Sequence, residues 1–251
     1  MQSSFSFEIL YQYRWMFAEA AYTTLWLTLI ASLGGIVLGL FGALARIIRL
    51  EKGGILLRGI AWLLRSVSLI YVTLFRGTPL LVQIFIWSYV WFAALVHPDH
   101  GLLISGEQAA YIRSNYGGVI AGCLALAFNS GAYVTEIFRA GIQSIDKGQM
   151  EAARSLGMTY VQAMRYVILP QAFRRMLPPL ANEFITLLKD SSLLSVLSVV
   201  ELTFVQRTIT GHTLKQAEPL YAIAVIYLLM TICLSWFFSW LDKRARRPSS
   251  R

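Results

Sequence analysis

Residues 146–170 read DKGQMEAARSLGMTYVQAMRYVILP and form a polar interval between long apolar runs. Two short helices can be read from it. Asp146 with Gln149, and Thr159 with Gln162, each match a capping box, in which two residues three apart satisfy each other's amides. Gly157 falls between the two pieces, where a helix end favours a residue that tolerates positive φ. Pro170 is expected to stop the second helix, because the residue before a proline is pushed away from α geometry. Neither piece could cross a membrane, since a span needs about 20 mostly apolar residues. The stretch is therefore expected to be a helical elbow held outside the bilayer, presenting Glu151, Ala152 and Ala153. Small alanines beside a carboxylate let a partner surface come close. By spacing alone, an amphipathic hairpin lying on lipid headgroups fits equally well.

The rest of the chain supports a bilayer setting. Mean hydropathy is +0.59 with charged residues at 14%, the balance of an integral membrane protein. The net charge of +9 does not point to nucleic acid, because the basic residues gather at the ends of apolar runs instead of forming a stripe among aromatics. Cys123 and Cys233 each sit inside an apolar run, which implies packing and no disulfide or metal framework. The first apolar run is too long for a signal peptide and is expected to stay in the mature protein.

Five crossings are expected, at about residues 20–48, 79–96, 117–138, 180–204 and 219–241. In the first, Ala31, Gly35, Gly39 and Ala43 recur every fourth residue; this stripe suits close helix packing, within the chain or against another subunit. The apolar stretch from 55 to 96 would extend about 60 Å as one helix, against a hydrocarbon core of about 30 Å. It must break, and Arg76-Gly77-Thr78-Pro79 is the place, with Thr78 as N-cap and Pro79 at the first helical position. Arg58, Arg65 and Arg76 share one helical stripe, so the first half is expected at an interface or a watery groove. His97 and His100 lie in the 97–116 loop without a third ligand at useful spacing, so no metal site is expected there. Glu136 and Arg139 are spaced to pair on a helix surface.

The fourth crossing carries Asn182, Glu183, Lys189, Asp190, Ser191 and Ser192. Ionisable groups at membrane depth are costly and normally face a protein interior or a watery cavity. A solute path is therefore expected along Glu183, Lys189, Asp190, Ser191 and Ser192, with Gln83, Asn129 and Tyr133 on neighbouring spans. Lys189 and Asp190 would otherwise only pair or cap near an interface. Lys and Arg concentrate after the first span, around the elbow and at the C-terminus. The positive-inside rule then puts the N-terminus outside and the elbow and C-terminus in the cytoplasm. The expected organisation is an interfacial lead-in over 1–19, a transmembrane domain over 20–241 and a basic tail over 242–251.

Several strings resemble one family. FRGTP at 75–79 followed by Leu80, Leu81, Val82 and Gln83, Ala132-Tyr133 with Glu136 and Arg139, Glu151-Ala152-Ala153 with Gly157, Leu169 and Pro170, and KDSSLLSV at 189–196 are similar to permease subunits of ABC importers, in the polar amino acid branch. Val167 stands where that family usually has isoleucine. The resemblance implies an all-α integral membrane fold of five transmembrane helices with a cytoplasmic coupling elbow. It implies that Glu151, Ala152, Ala153, Gly157, Leu169 and Pro170 dock into a groove of an ATPase subunit. It also implies a dimer of that ATPase carrying ATP and Mg, a second permease subunit, a substrate-binding protein and a bacterial inner membrane. This chain would carry no cofactor and no catalytic residue, and it holds no GxxxxGK[ST] loop of its own. A secondary amino acid transporter is the rival reading, but no internal repeat supports it. An intramembrane enzyme is weaker still, because the histidines lie in the outer loops.

Overall fold

The computed structural model describes residues 7–47 and 54–246; the basic residues Arg49 and Lys52, and the end of the tail, lie outside these. Helices account for nearly all of it: α1 (Phe7–Gln12), α2 (Arg14–Ile47), α3 (Ile55–Gly77), α4 (Leu80–Ile86), α5 (Phe92–Leu95), α6 (Gly106–Gln143), α7 (Lys147–Ser155), α8 (Tyr160–Ala163), α9 (Leu169–Asp190), α10 (Leu202–Thr213) and α11 (Ala217–Arg246). Wide π turns join α4 to α5 at Trp87–Trp91 and α8 to α9 at Met164–Ile168, and a 3-10 segment, Ser191–Leu197, follows α9.

The long helix α6 sets the register for everything else. Helix α2 runs parallel to it, with Gly35 against Ser130 and Gly39 against Val134; a methyl on Gly39 would overlap α6, and one on Gly35 would meet Ser130 at 3.0 Å. Ala31, Gly35, Gly39 and Ala43 are all buried along this seam. The small-residue stripe thus serves packing within the chain, and its lack of side-chain bulk lets the two backbones approach.

On another face of α6, the chain from 55 to 96 passes once in the opposite direction. The Tyr71 hydroxyl donates to the Phe128 carbonyl at 2.6 Å, the Trp87 ring meets Phe128 at 4.7 Å, and Phe92 reaches Gly117. Helix α3 therefore sits beside the C-terminal half of α6, α4 beside its middle and α5 beside its N-terminal half. They follow one another along α6 and do not fold back as a hairpin. The break falls at the expected residues, but its chemistry differs. Thr78 Oγ1 donates to the Leu74 carbonyl at 2.8 Å, closing α3, and Pro79 takes the N-cap position of α4.

Helix α9 and the 3-10 segment run back along α6, with Met176 against Gly141 and Leu194 against Gly122. Helix α11 returns antiparallel to α9, with Phe238 meeting Phe184 at 5.5 Å. The passes are thus α2, α3 with α4 and α5, α6, α9 with the 3-10 segment, and α11.

Their bounds depart from the sequence expectation in several places. Among the described residues, four helices are long and apolar enough to cross a membrane: Arg14–Ile47, Ile55–Gly77, Gly106–Gln143 and Ala217–Arg244. Ile55–Gly77 is one of them, although the sequence reading placed the crossing at 79–96, where the shorter apolar stretch Leu80–Leu95 lies. The fourth pass is not among them, because α9 is amphipathic. Pro170 also does not end a helix. It sits in the first turn of α9, where its missing N–H costs little, and the wide turn before it absorbs the change in spacing. Pro178 and Pro179 likewise lie inside α9.

The lead-in and residues 201–218, which precede the last pass, are largely helical. Helix α2 begins at Arg14, and α10 occupies most of the latter segment. Glu201 explains why: its carboxylate is fully buried and caps α10, accepting from the Thr203 and Phe204 amides at 2.8 Å each. The Tyr227 hydroxyl of α11 donates to the same carboxylate at 2.9 Å. At the other end of the chain, α11 runs on through Lys243 and Arg244 into the expected tail.

Candidate functional site

The elbow forms as two helices around a left-handed glycine. Asp146 Oδ1 accepts from the Gly148 amide at 2.7 Å and starts α7. The expected box with Gln149 does not close. Gln149 instead accepts from Gln171 of α9 at 3.3 Å, a contact between elements that no local spacing encodes. The second box is complete: the Gln162 amide donates to Thr159 Oγ1 at 3.3 Å, and the Thr159 amide donates to Gln162 Oε1 at 2.8 Å. Between them Gly157 has φ +84°. The Met158 amide bonds the Ala153 carbonyl and the Gly157 amide bonds that of Arg154, the Schellman pattern that ends a helix on a glycine.

The inner side of the elbow is apolar. Ile145, Ile168, Ala172 and Met176 form a buried cluster, with Met150 and Met164 packed on it. Ala153 is only 4% exposed and faces inward. Its role differs from the one expected of it, since a small residue lets α7 lie close on its floor. Glu151, Ala152, Leu169 and Pro170 are exposed, as a docking face requires. Beside them the tip offers apolar residues that the sequence reading did not single out. Leu156 is 83% exposed and Val161 71%, with Tyr160 next to them. They flank Gly157, and their apolar character at a hairpin tip was the available signal.

Immediately above the elbow, α6 and α9 part to leave an open cleft of about 590 Å³, bordered also by Arg76 near the end of α3. Its polar lining is Arg76, Tyr133, Glu136, Ser144, Arg175, Asn182 and Glu183. The Arg76 guanidinium lies over the Tyr133 ring, 5.1 Å from its centroid. Glu136 is paired with Arg46 of α2 and, at 2.7 Å, with Arg139 one turn on. Arg175 donates to the Ser144 carbonyl, linking α9 to the end of α6. The cleft thus offers a fixed cation, a carboxylate at Glu183 and an amide at Asn182, a set able to receive a zwitterion.

Of the expected path residues, Glu183 and Tyr133 line this cleft. The others do not. Gln83 is buried and gives its amide to the Phe75 carbonyl at 2.8 Å and the Thr78 carbonyl at 3.0 Å. Asn129 donates to the Phe75 carbonyl at 3.2 Å and to Gln83 Oε1 at 3.0 Å. Both side chains are consumed in sealing the broken helix, whose last carbonyls have no amide ahead of them to accept from. Ser191 is buried and donates to the Leu188 carbonyl at 2.7 Å. Lys189 is exposed and Asp190 ends α9 without a side-chain capping bond. Arg76, Asn182 and Arg175 were present in the sequence, but only the packing of α3 and α9 against α6 brings them together.

Comparison with known proteins places this architecture. Residues 35–247 match the family model described as the binding-protein-dependent transport system inner membrane component. The glutamine transport system permease protein GlnP of Escherichia coli K12 is 36% identical over 228 residues, covering 91% of this chain and 92% of that protein. The L-cystine transport system permease protein TcyB of Bacillus subtilis is 37% identical over 227 residues, covering 90% and 85%. Among solved structures, an amino acid ABC transporter crystallised with histidines superposes with a TM-score of 0.77 at 37% identity, over 97% of this chain and all of that one. The MetNI methionine ABC transporter, at 20% identity and a TM-score of 0.69 over 93% of this chain and 98% of that one, shares the fold. The chain belongs to the family of inner membrane components of binding-protein-dependent transport systems.

Proposed function

We propose that this chain forms the transmembrane path of an ABC importer for a polar amino acid. The observation that carries the reading is that the elbow is the covalent link between the two helices that wall the cleft. Met176 and Ile145 belong to the elbow's apolar floor, and Met176 also lines the cleft. A force on the elbow therefore reaches the walls through packed side chains. The partner that applies it is a dimer of ATPase subunits holding ATP and Mg, docking on Glu151, Ala152, Gly157 and the apolar tip. A substrate-binding protein delivers solute from outside, and a second permease subunit, identical or related, completes the path. Lipid surrounds the apolar outer faces.

In this reading the cleft is the inner half of the path. Arg76 attracts a carboxylate, Glu183 an ammonium group, and Asn182 supplies a neutral donor and acceptor. The related proteins named for glutamine and cystine transport support this solute class. The elbow and the C-terminus lie in the cytoplasm and the N-terminus outside, in a bacterial inner membrane, as the charge bias supports.

The test is Glu151→Lys in vesicles reconstituted with the ATPase and the binding protein. Solute-stimulated ATP hydrolysis and uptake should both be lost while the protein still inserts, because the charge is reversed at the docking face. Unchanged uptake at normal insertion would contradict the assignment.

A further inference from the structure

The turn between α5 and α6, at the opposite end of α6 from the elbow, gathers three side chains that neither elbow nor cleft uses. His97, Asp99 and His100 place their ligand atoms within 4.8 Å of one another. Sequence spacing offered two histidines alone; the turn adds the carboxylate between them. His97 Nδ1 and Asp99 Oδ2 are 3.9 Å apart, and the two imidazole rings stack with centroids 3.7 Å apart. The backbone beneath them is held firmly. Val96 and Ile104 form an isolated bridge. The Gly101 amide donates to the His97 carbonyl at 3.1 Å and the Gly106 amide to the Pro98 carbonyl at 2.8 Å. Gly101 has no room for a side chain, since a methyl would lie 2.6 Å from the His97 nitrogen.

We propose that this turn is a binding site for a transition-metal ion of the zinc class, held by His97, Asp99 and His100 with one position left open. Two imidazoles and a carboxylate suit zinc, copper or nickel, whereas calcium and magnesium favour all-oxygen sets. Zinc bonds of about 2.0–2.1 Å in a tetrahedron put donors about 3.3 Å apart, so the trio must close by at most about 1.5 Å. Side-chain rotation supplies that, because Asp99 and His100 are exposed. The stack must open as it happens, since each ring has to aim a nitrogen lone pair at the ion. The Asp99 amide donates to His97 Nδ1 at 3.2 Å, a long bond that an ion at that nitrogen replaces. Arg113 borders the same recess, but its guanidinium is directed to the Val96 carbonyl at 3.5 Å. Three donors, two of them exposed, beside a cation put the affinity in the micromolar range. A bound ion would fix the turn that follows α5.

The experiment is calorimetric titration of zinc into the untagged full chain in detergent, with cobalt spectra as a second readout. One ion should bind per chain in the micromolar range, with a cobalt d–d band, and magnesium and calcium should give no response. His97→Ala combined with His100→Ala should weaken binding by an order of magnitude or more, and so should Asp99→Asn, while His212→Ala should leave it unchanged. Asp99 is exposed, so Asp99→Asn tests the site without disturbing the fold. Absence of saturable zinc binding below millimolar, or binding undiminished in the variants, overturns the proposal.

Discussion

Gln83 shows how one side chain is spent. A glutamine at membrane depth reads as part of a polar path, and a sequence cannot show that its amide bonds a carbonyl at a helix break, eight residues upstream at Phe75. The broken helix between α3 and α4 leaves the Phe75 and Thr78 carbonyls without ladder partners, and Gln83 and Asn129 supply donors to them. Gln83→Leu should destabilise the protein by about 1–3 kcal/mol, the cost of a buried acceptor left unmade. Thermal unfolding in detergent would measure it, and an unchanged midpoint would show that the break needs no seal. Glu183 and Tyr133 were legible as cleft-lining residues because their polarity has no local use on their own helices. Arg76 and Asn182 were not, because they meet in one cleft only through the packing of separate elements.

At the scale of an element, the elbow was the most readable part of the chain. Caps and a glycine are local devices, and their donors and acceptors lie within a few residues. Thr159 with Gln162 and Gly157 behave as their spacing predicts. Asp146 caps alone, because Gln149 finds a partner on α9. Pro170 misleads for the same kind of reason, since a proline signal depends on where the helix begins, and the wide turn Met164–Ile168 moves that point. Gly157→Ala should cost about 1–2 kcal/mol in the left-handed region that Gly157 occupies at φ +84°. The loss falls on the elbow alone, so solute-stimulated ATP hydrolysis should drop while the fold of α2 and α6 is kept. Normal stimulation in that variant would mean that the elbow's shape does not matter for coupling.

At the scale of the molecule, the number of passes was legible and their boundaries were not. Hydropathy finds apolar length, but it cannot tell a broken helix from two crossings, as the stretch from 55 to 96 shows. It also passes over an amphipathic pass such as α9, whose polar face turns to the cleft. Charge bias adds an orientation that labelling can check. Cysteines placed at 99–110 should react with an impermeant thiol reagent from the periplasmic side, and cysteines near Lys147 should not. The reverse pattern would invert the topology and put the elbow out of reach of ATP.

The central claim is that the elbow moves the walls of the cleft. The most direct measurement uses spin labels at Ala140→Cys and Pro179→Cys, both exposed in the cleft on opposite walls, with Cys123 and Cys233 replaced. Pulsed dipolar distances would be recorded on the complex with its ATPase, with and without trapped ATP. The account predicts a shorter α6–α9 distance with ATP, and loss of that shift in Glu151→Lys. One unchanged distance distribution in both states, with transport intact, would contradict it.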